Sequence, residues 1–322
     1  MEFRTKIQKI KTDIEISHDS QICLFGSCFT ESIGNMLTNN LFKTDINPFG
    51  ILYNPSSIAS AINSIIENKK FNVSNLIFSN GIYHSLMHHG QFSSSNSEHV
   101  LSKINDRIEM CSQNLKDTDI FIITFGTAFI YKWKETGKVV GNCHKINDSF
   151  FERKKLSVNE IVYEWKEILN NLLLINPKAN FIFTVSPIRH LKDGLHQNQL
   201  SKSTLLLSID ELCNEFPQAY YFQAYEILVD ELRDYRFYAD DMLHPSNISI
   251  QYIWELFKET FFTKNTLEVL NDWQPICKML SHKMNDNYSE AANIFSKRLE
   301  NKLQDFKIKY PSLKEIDKFK NR

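Results

Sequence analysis

Four stretches of this chain are apolar almost without interruption, and they constrain the fold more than any other feature. They read ICLFG (residues 22–26), DIFIITFG (119–126), NFIFTVS (180–186) and AYYFQAY (219–225). A sheet with one wet face alternates apolar and polar residues. Continuous runs suit strands of a parallel sheet covered on both faces. Helical patterns lie between the runs. Ser157 and Glu160 have capping-box spacing, and Ile161, Trp165, Ile168, Leu172 and Ile175 then recur at steps of four and three until Asn176-Pro177. Ser95 and Glu98 form a similar pair ahead of Val100, Ile104 and Ile108. Further helices are expected over residues 31–41, 56–67, 201–215 and 248–261. Strands alternating with helices predict βαβ units and a three-layer αβα sandwich around a parallel sheet. Such sheets place ligands beyond the carboxyl ends of their strands. Each of three runs ends there in a small or polar turn: Gly26-Ser27, Gly126-Thr127 and Ser186-Pro187.

Composition narrows the function. Of 322 residues 42% are apolar and the formal net charge is −1, so the overall balance points to neither nucleic acid nor an anionic membrane as partner. The start, MEFRTKIQKIKTD, lacks the apolar core of a signal peptide, and no run approaches a membrane span. The six cysteines show no CxxC pairing and no metal-like spacing with histidine, so they read as free thiols in a cytoplasmic, reducing setting. His84, His88 and His89 keep no regular spacing with Asp, Glu or Cys, so no metal is expected there. No phosphate-cradling motif follows any strand, and nine glycines leave little to build one. After residue 262 the apolar spacing loosens. Residues 289–309 read as a long helix, and the charged end LKEIDKFKNR is expected to fray. The expected division is a catalytic domain over 1–262 and a helical extension over 263–322.

Two short pieces carry chemistry. In DDMLHPS (240–246), His244 precedes Pro245 at a loop-to-helix junction, with Pro245 expected in the helix's first turn. Asp241 lies three residues before His244. A carboxylate there fixes one imidazole nitrogen and leaves the other to take a proton. Ser27 stands where the first strand breaks into a helix. Together they give the order Ser27, Asp241, His244, a nucleophile, an orienting acid and a base. The N–H groups at the start of that helix would face an oxyanion. Cys28 is a thiol alternative that we expect to turn into the core. Asp240 competes with Asp241 for the orienting role.

The run FGSCFTESIGNML resembles the signature of the GSCFA family, with Thr30 in place of the family's alanine. NPFGILYNP (47–55), TFGTAFIY (124–131), NCHK (142–145), SPIRH (186–190) and DMLHPS (241–246) are also similar to that family. The family looks like a branch of the SGNH (GDSL-like) hydrolases. The resemblance implies a flavodoxin-like αβα sandwich and cleavage or transfer of acyl esters, often on carbohydrates, without metal or organic cofactor. It assigns Ser27 as nucleophile and Asp241 and His244 as its partners, and it makes the Gly50 N–H an oxyanion donor. The superfamily's Gly-x-Asn is absent, since residues 126–128 read Gly-Thr-Ala. Thr127, Asn142 or Asn54 is expected to donate in its place, or the hole is weaker. His144, Arg189 and His190 are candidate substrate-binding groups, Arg189 suiting a carboxylate, phosphate or sugar hydroxyl. The expected activity is hydrolysis of an O-acyl, above all O-acetyl, ester of a small molecule or glycan. The alternatives are transfer of that acyl group to a glycan and non-catalytic binding of a glycan or partner on a degenerate hydrolase fold. The sequence sets no oligomeric state.

Overall fold

The structure is a computed structural model that describes residues 4–8, 11–281 and 290–319. The four apolar runs form β1 (Gln21–Phe25), β5 (Ile120–Phe125), β9 (Asn180–Val185) and β10 (Ala219–Tyr221). A fifth strand, β2 (Lys43–Ile46), completes a sheet of order β10-β9-β5-β1-β2, parallel at every pairing. Renumbered along the chain, that order is the flavodoxin-like 2-1-3-4-5. The sequence reading missed β2 because its residues, KTDI, contain no apolar run and are only half-buried at the sheet edge.

Alternation along each strand divides the core in two. Cys23, Phe25, Phe121, Ile123, Phe125, Phe181, Phe183 and Val185 face one side. There they meet apolar residues of α2 (Pro55–Ile66), α3 (Ser97–Asn114), α4 (Val158–Ile175) and α5 (Gly194–Glu215). Ile22, Leu24, Ile120, Ile122 and Ile182 face the other side. They meet α1 (Cys28–Asn39), α7 (Asn247–Phe261) and a short turn, α6 (Ala224–Glu226), that runs into the π-helical Ile227–Glu231. This is the predicted three-layer α/β sandwich, and both faces of the sheet are covered, as the unbroken runs required.

Two local expectations need correction. Ser95 does not cap α3: Asn96 does, accepting from the N–H groups of Glu98 and His99. Pro245 is not in the first turn of α7, because Ser246 caps that helix and the helix begins at Asn247. The capping box of Ser157 and Glu160 is formed, and Asn176 ends α4.

Outside the main sheet lie a hairpin, β3 (Leu76–Ser79) with β4 (Ile82–Ser85), and an antiparallel sheet of β6 (Phe129–Trp133), β7 (Val139–Val140) and β8 (Phe151–Lys155). After α7 come α8 (Lys264–Leu280) and α9 (Glu290–Lys309), while residue 289 lies outside the described residues. The charged end does not fray over Lys314–Phe319. That stretch forms a 3₁₀ turn whose Ile316 and Phe319 join Leu41, Trp273 and Phe306 in a third apolar cluster. Trp273 anchors this cluster, and its indole N–H donates to the Asn39 carbonyl at 2.8 Å. Trp273→Ala removes a fully buried aromatic and should cost about 3–5 kcal/mol of local stability. The expected readout is faster amide exchange in α8 and α9 with β5 protected as before.

Candidate active site

The switch in strand order falls between β1 and β5, and both end in glycine-containing turns. Gly26 follows β1 at φ +150°. A Cβ there would lie 2.4 Å from Thr30 Oγ1 and 2.6 Å from the Thr124 carbonyl, so nothing larger than glycine fits. Its N–H donates to Asn47 Oδ1 at 2.9 Å and its carbonyl accepts from Leu52 N–H at 3.0 Å. The chain therefore leaves β1 on a fixed path and enters α1 one residue later.

Ser27 is the N-cap of α1 and is 0% exposed. Its Oγ accepts from the Phe29 N–H at 3.3 Å and donates to Ser186 Oγ at 3.2 Å. No hydrogen bond joins it to His244. The expected meeting of hydroxyl and imidazole is therefore not made, because the cap position turns the hydroxyl back over its own helix and onto the end of β9. Cys28, expected in the core, packs against the apolar cluster between the sheet and α1 and α7, and it also borders the cleft at the sheet's carboxyl end. It is the first residue of α1, half-buried, with a free thiol. Burial pushes this thiol's pKa up, and the N–H groups of Cys28 and Phe29 pull it partway back.

His244 lines the same cleft. Its Nδ1 lies 2.5 Å from Asp241 Oδ2, while Asp241 Oδ1 accepts from the N–H groups of Leu243 and His244, each at 2.9 Å. Those backbone donors, then the imidazole, hold the Asp241 carboxyl down at about 2. Asp241 rather than Asp240 meets the ring, and Nε2 is left for other chemistry. The loop is braced from the SPIRH side. Arg189 N–H donates to the Leu243 carbonyl at 3.3 Å, and its guanidinium bonds the Met242 carbonyl and covers the rings of Tyr235 and Tyr238.

The cleft holds about 500 Å³. Besides Cys28 and His244 it is walled by Tyr53, Asn54, Asn142, Arg153, Arg189 and His190, with the rings of Phe129 and Tyr131 from β6. Thr127 reaches it too, but its Oγ1 is engaged by Ser201 Oγ at 3.2 Å and by the Phe129 N–H. Asn54 and Asn142 each spend Oδ1 on a nearby N–H, of Ser57 and His144, both at 2.8 Å. Their amide donor ends remain. Burial pulls His190 down to about 4, so its imidazole is neutral near pH 7. His190 Nε2, Arg153 Nε and Arg189 Nε are buried without a hydrogen-bond partner.

Two expected site residues lie elsewhere. The Gly50 N–H is already donated to the Asn47 carbonyl at 2.7 Å, and Gly50 is covered by His89, so it offers no oxyanion donor. His144 bonds the Ser85 carbonyl through Nε2 at 2.8 Å and stacks near His84, behind the cleft wall. His88 is buried against Phe49 with Nδ1 on Ser85 Oγ, and burial lowers its pKa to about 3. Among the described residues no three metal-binding side chains converge.

Sequence reasoning missed Lys202 entirely. It lies inside α5 at 1% exposure, and its ammonium donates to the carbonyls of Gly126 at 2.6 Å and Ser186 at 2.7 Å. It thereby ties the ends of β5 and β9 beneath the cleft. Nothing in KSTLLLSID signals this, since a lysine in a helix is normally solvated. Arg153, which stands before Lys154 and Lys155, was not among the expected site residues either. In the structure it lies over Phe129 and Tyr131 and pairs with Asp193.

Burial pulls Lys202 down to about 7 from an unfolded value of 10.5. Between those values the unfolded chain binds more protons, so its contribution to stability should rise with pH from about 7 towards 10.5. Urea unfolding of wild type and Lys202→Met at pH 7 and pH 9 should show that slope in wild type alone. Ser27→Ala, which removes a cap, should cost about 1 kcal/mol in the same assay.

Among curated proteins no match to this chain is found. Similar solved structures include a family 3 carbohydrate esterase from Talaromyces cellulolyticus, at 11% identity and TM-score 0.37 over 79% of this chain and 99% of that one. An acetyl xylan esterase from the rumen bacterium Butyrivibrio proteoclasticus is similar at 12% identity and TM-score 0.40, over 79% of this chain and 66% of that one. A family 3 carbohydrate esterase of Clostridium thermocellum is similar at 10% identity and TM-score 0.34, over 78% and 97%. The GSCFA family profile matches residues 21–257, nearly all of the α/β sandwich and its cleft, and the chain belongs to the GSCFA family.

Proposed function

We propose that this protein hydrolyses an acyl ester, with an O-acetylated carbohydrate as the substrate class. The observation that carries the reading is the Asp241–His244 pair, held at 2.5 Å on the rim of a cleft that the first residue of α1 also lines. A carboxylate on Nδ1 sets the tautomer and stabilises the imidazolium, and Nε2 can take a proton from a nucleophile and return it to a leaving alcohol. The start of α1 supplies N–H groups that no intrahelical carbonyl can satisfy, suited to a carbonyl oxygen gaining charge. The amides of Asn54 and Asn142 are the nearest replacements for the missing Gly-x-Asn donor, since both reach the cleft with Oδ1 already engaged.

The walls support an oxygen-rich substrate. Three buried donors, on Arg153, Arg189 and His190, lack acceptors. A buried donor left unpaired costs about 1–3 kcal/mol, so a ligand carrying many oxygens gains by supplying them. Tyr53, Phe129 and Tyr131 in the lining add apolar surface of the kind a sugar ring packs against. No step of this chemistry needs a metal or an organic cofactor.

The test is turnover of p-nitrophenyl acetate and of an acetylated xylo-oligosaccharide. His244→Ala should lose at least about a hundredfold in kcat/KM while remaining folded. Equal turnover by wild type and variant would remove the reading. Asp241→Asn should also fall, because an amide cannot stabilise the imidazolium. Asp241 should remain ionised in wild type until pH approaches about 2. The contribution of its contacts to stability is therefore present above its ordinary value of 3.8 and lost as pH falls through about 2, which carboxylate NMR titration can follow.

A further inference from the structure

We propose that a second cavity beside the cleft is a subsite for a further sugar unit, so that the substrate is an acylated glycan chain rather than a single acylated sugar; this rests on the acyl-ester reading above. The cavity holds about 350 Å³. It lies between the start of α5, the π-helical Ile227–Glu231 and the turn Tyr235–Phe237. Arg189 is the residue common to its lining and that of the cleft. The Arg189 N–H donates to the carbonyl of Leu243, the neighbour of His244. A sugar held on the far side of Arg189 therefore stands next to the loop that carries the imidazole.

A sugar offers hydroxyls around an apolar ring face, so its sites combine amides, guanidinium groups and aromatic rings. All three meet here. Asn198 is 5% exposed and accepts the His190 N–H on Oδ1 at 3.0 Å, which leaves its amide donors. Gln199 accepts from the Tyr225 hydroxyl on Oε1 at 2.5 Å and is left in the same state. Asn54 and Asn142 in the cleft are oriented in the same way, oxygen engaged and donors left. The guanidinium of Arg189 bonds the Met242 carbonyl, and its Nε has no partner. Tyr225, Tyr235 and Tyr238 supply the rings. Leu195 and Tyr235 in this lining are 58% and 62% exposed, so apolar surface stands open to solvent beside the donors.

The composition favours a sugar over the other groups an ester carries. An acyl tail would gain from an apolar tunnel, whereas two amides and two guanidinium groups enter this lining. Arg233 is bonded to Asp230, and Asp234 lies in the same lining, so the wall does not present a single sign of charge. A sugar bound here touches no reacting atom. Its contacts are equal in ground and transition states, so they lower KM and leave kcat alone.

The experiment compares full-length wild type with Leu195→Trp and Gln199→Glu. Leu195 is exposed, so tryptophan there fills the cavity without crowding the core. Gln199→Glu keeps an acceptor for the Tyr225 hydroxyl and removes the donor. Turnover is measured on p-nitrophenyl acetate and on O-acetylated mono- and tetrasaccharides of xylose, mannose and N-acetylglucosamine. For at least one sugar, KM should be at least about tenfold lower for the tetrasaccharide than for the monosaccharide, with kcat alike. Leu195→Trp should abolish that gain and Gln199→Glu should cut it at least about threefold, while both keep wild-type turnover of p-nitrophenyl acetate. No gain with chain length in any series, or a gain that Leu195→Trp leaves intact, overturns the subsite and leaves the esterase reading standing. So does a Leu195→Trp loss on p-nitrophenyl hexanoate with none on a tetrasaccharide, which makes the cavity an acyl pocket. Should wild type cleave no ester, the esterase reading fails by itself, and NMR titration with the unacetylated tetrasaccharides still decides. Ring shifts of Tyr225, Tyr235 and Tyr238 in wild type but not in Leu195→Trp support the subsite, and unshifted rings overturn it.

Discussion

The closeness of β1 to β5 at their carboxyl ends governs the rest of this structure. The backbone of Thr124 leaves no room for a side chain after Phe25, so the turn must be glycine and must follow one path. That path delivers the chain to a helix N-terminus within two residues. What the elbow offers then follows: leading N–H groups without intrahelical carbonyl partners and a first turn capped by Ser27, beside the cleft. A wider turn would permit other residues at Gly26, but it would no longer fix where the helix begins.

The same end of the sheet carries a buried charge. Lys202 holds the carbonyls of Gly126 and Ser186, and so joins the turns after β5 and β9 that floor the cleft. Two acceptors offset part of its desolvation, and Tyr225 lies 5.7 Å from the ammonium. Removing the charge relieves a penalty but leaves two carbonyls without their donor, so the net effect depends on how far the strand ends can move. A positive group under the cleft also helps hold His190 neutral. Its effect therefore reaches the site although it touches no substrate.

The fold was legible because its central strands are long, apolar and buried on both faces. Burial of that kind leaves a pattern in a single sequence. β2 was not legible: an edge strand of four half-buried residues needs only its neighbour's backbone. The antiparallel unit β6–β8 was also missed. FIYKW and FERKK mix apolar and charged residues, and what they share is register across the sheet rather than a run along the chain. Nothing in that stretch marks Arg153, though cross-strand geometry puts it over two aromatic rings. The Asp241–His244 pair was readable because three residues of loop before an extended His-Pro leave few other placements. Gly50 was not, since only the fold reveals that its N–H already closes a turn on Asn47.

Ser27 and Cys28 show where sequence reasoning reaches its limit. A serine between strand and helix satisfies two descriptions at once, a nucleophile on an elbow and an N-cap, and residue type cannot separate them. Position does. An N-cap side chain must turn back to accept from the helix's own N–H groups, so it cannot also project outward. The residue after it has no such duty. Residues 126–128, Gly-Thr-Ala, carry no asparagine at the end of β5. Where the Gly-x-Asn asparagine is missing, Asn54 and Asn142 stand in the cleft lining, each with its oxygen already engaged by a backbone N–H, so what the strand end lacks is offered from two loops instead.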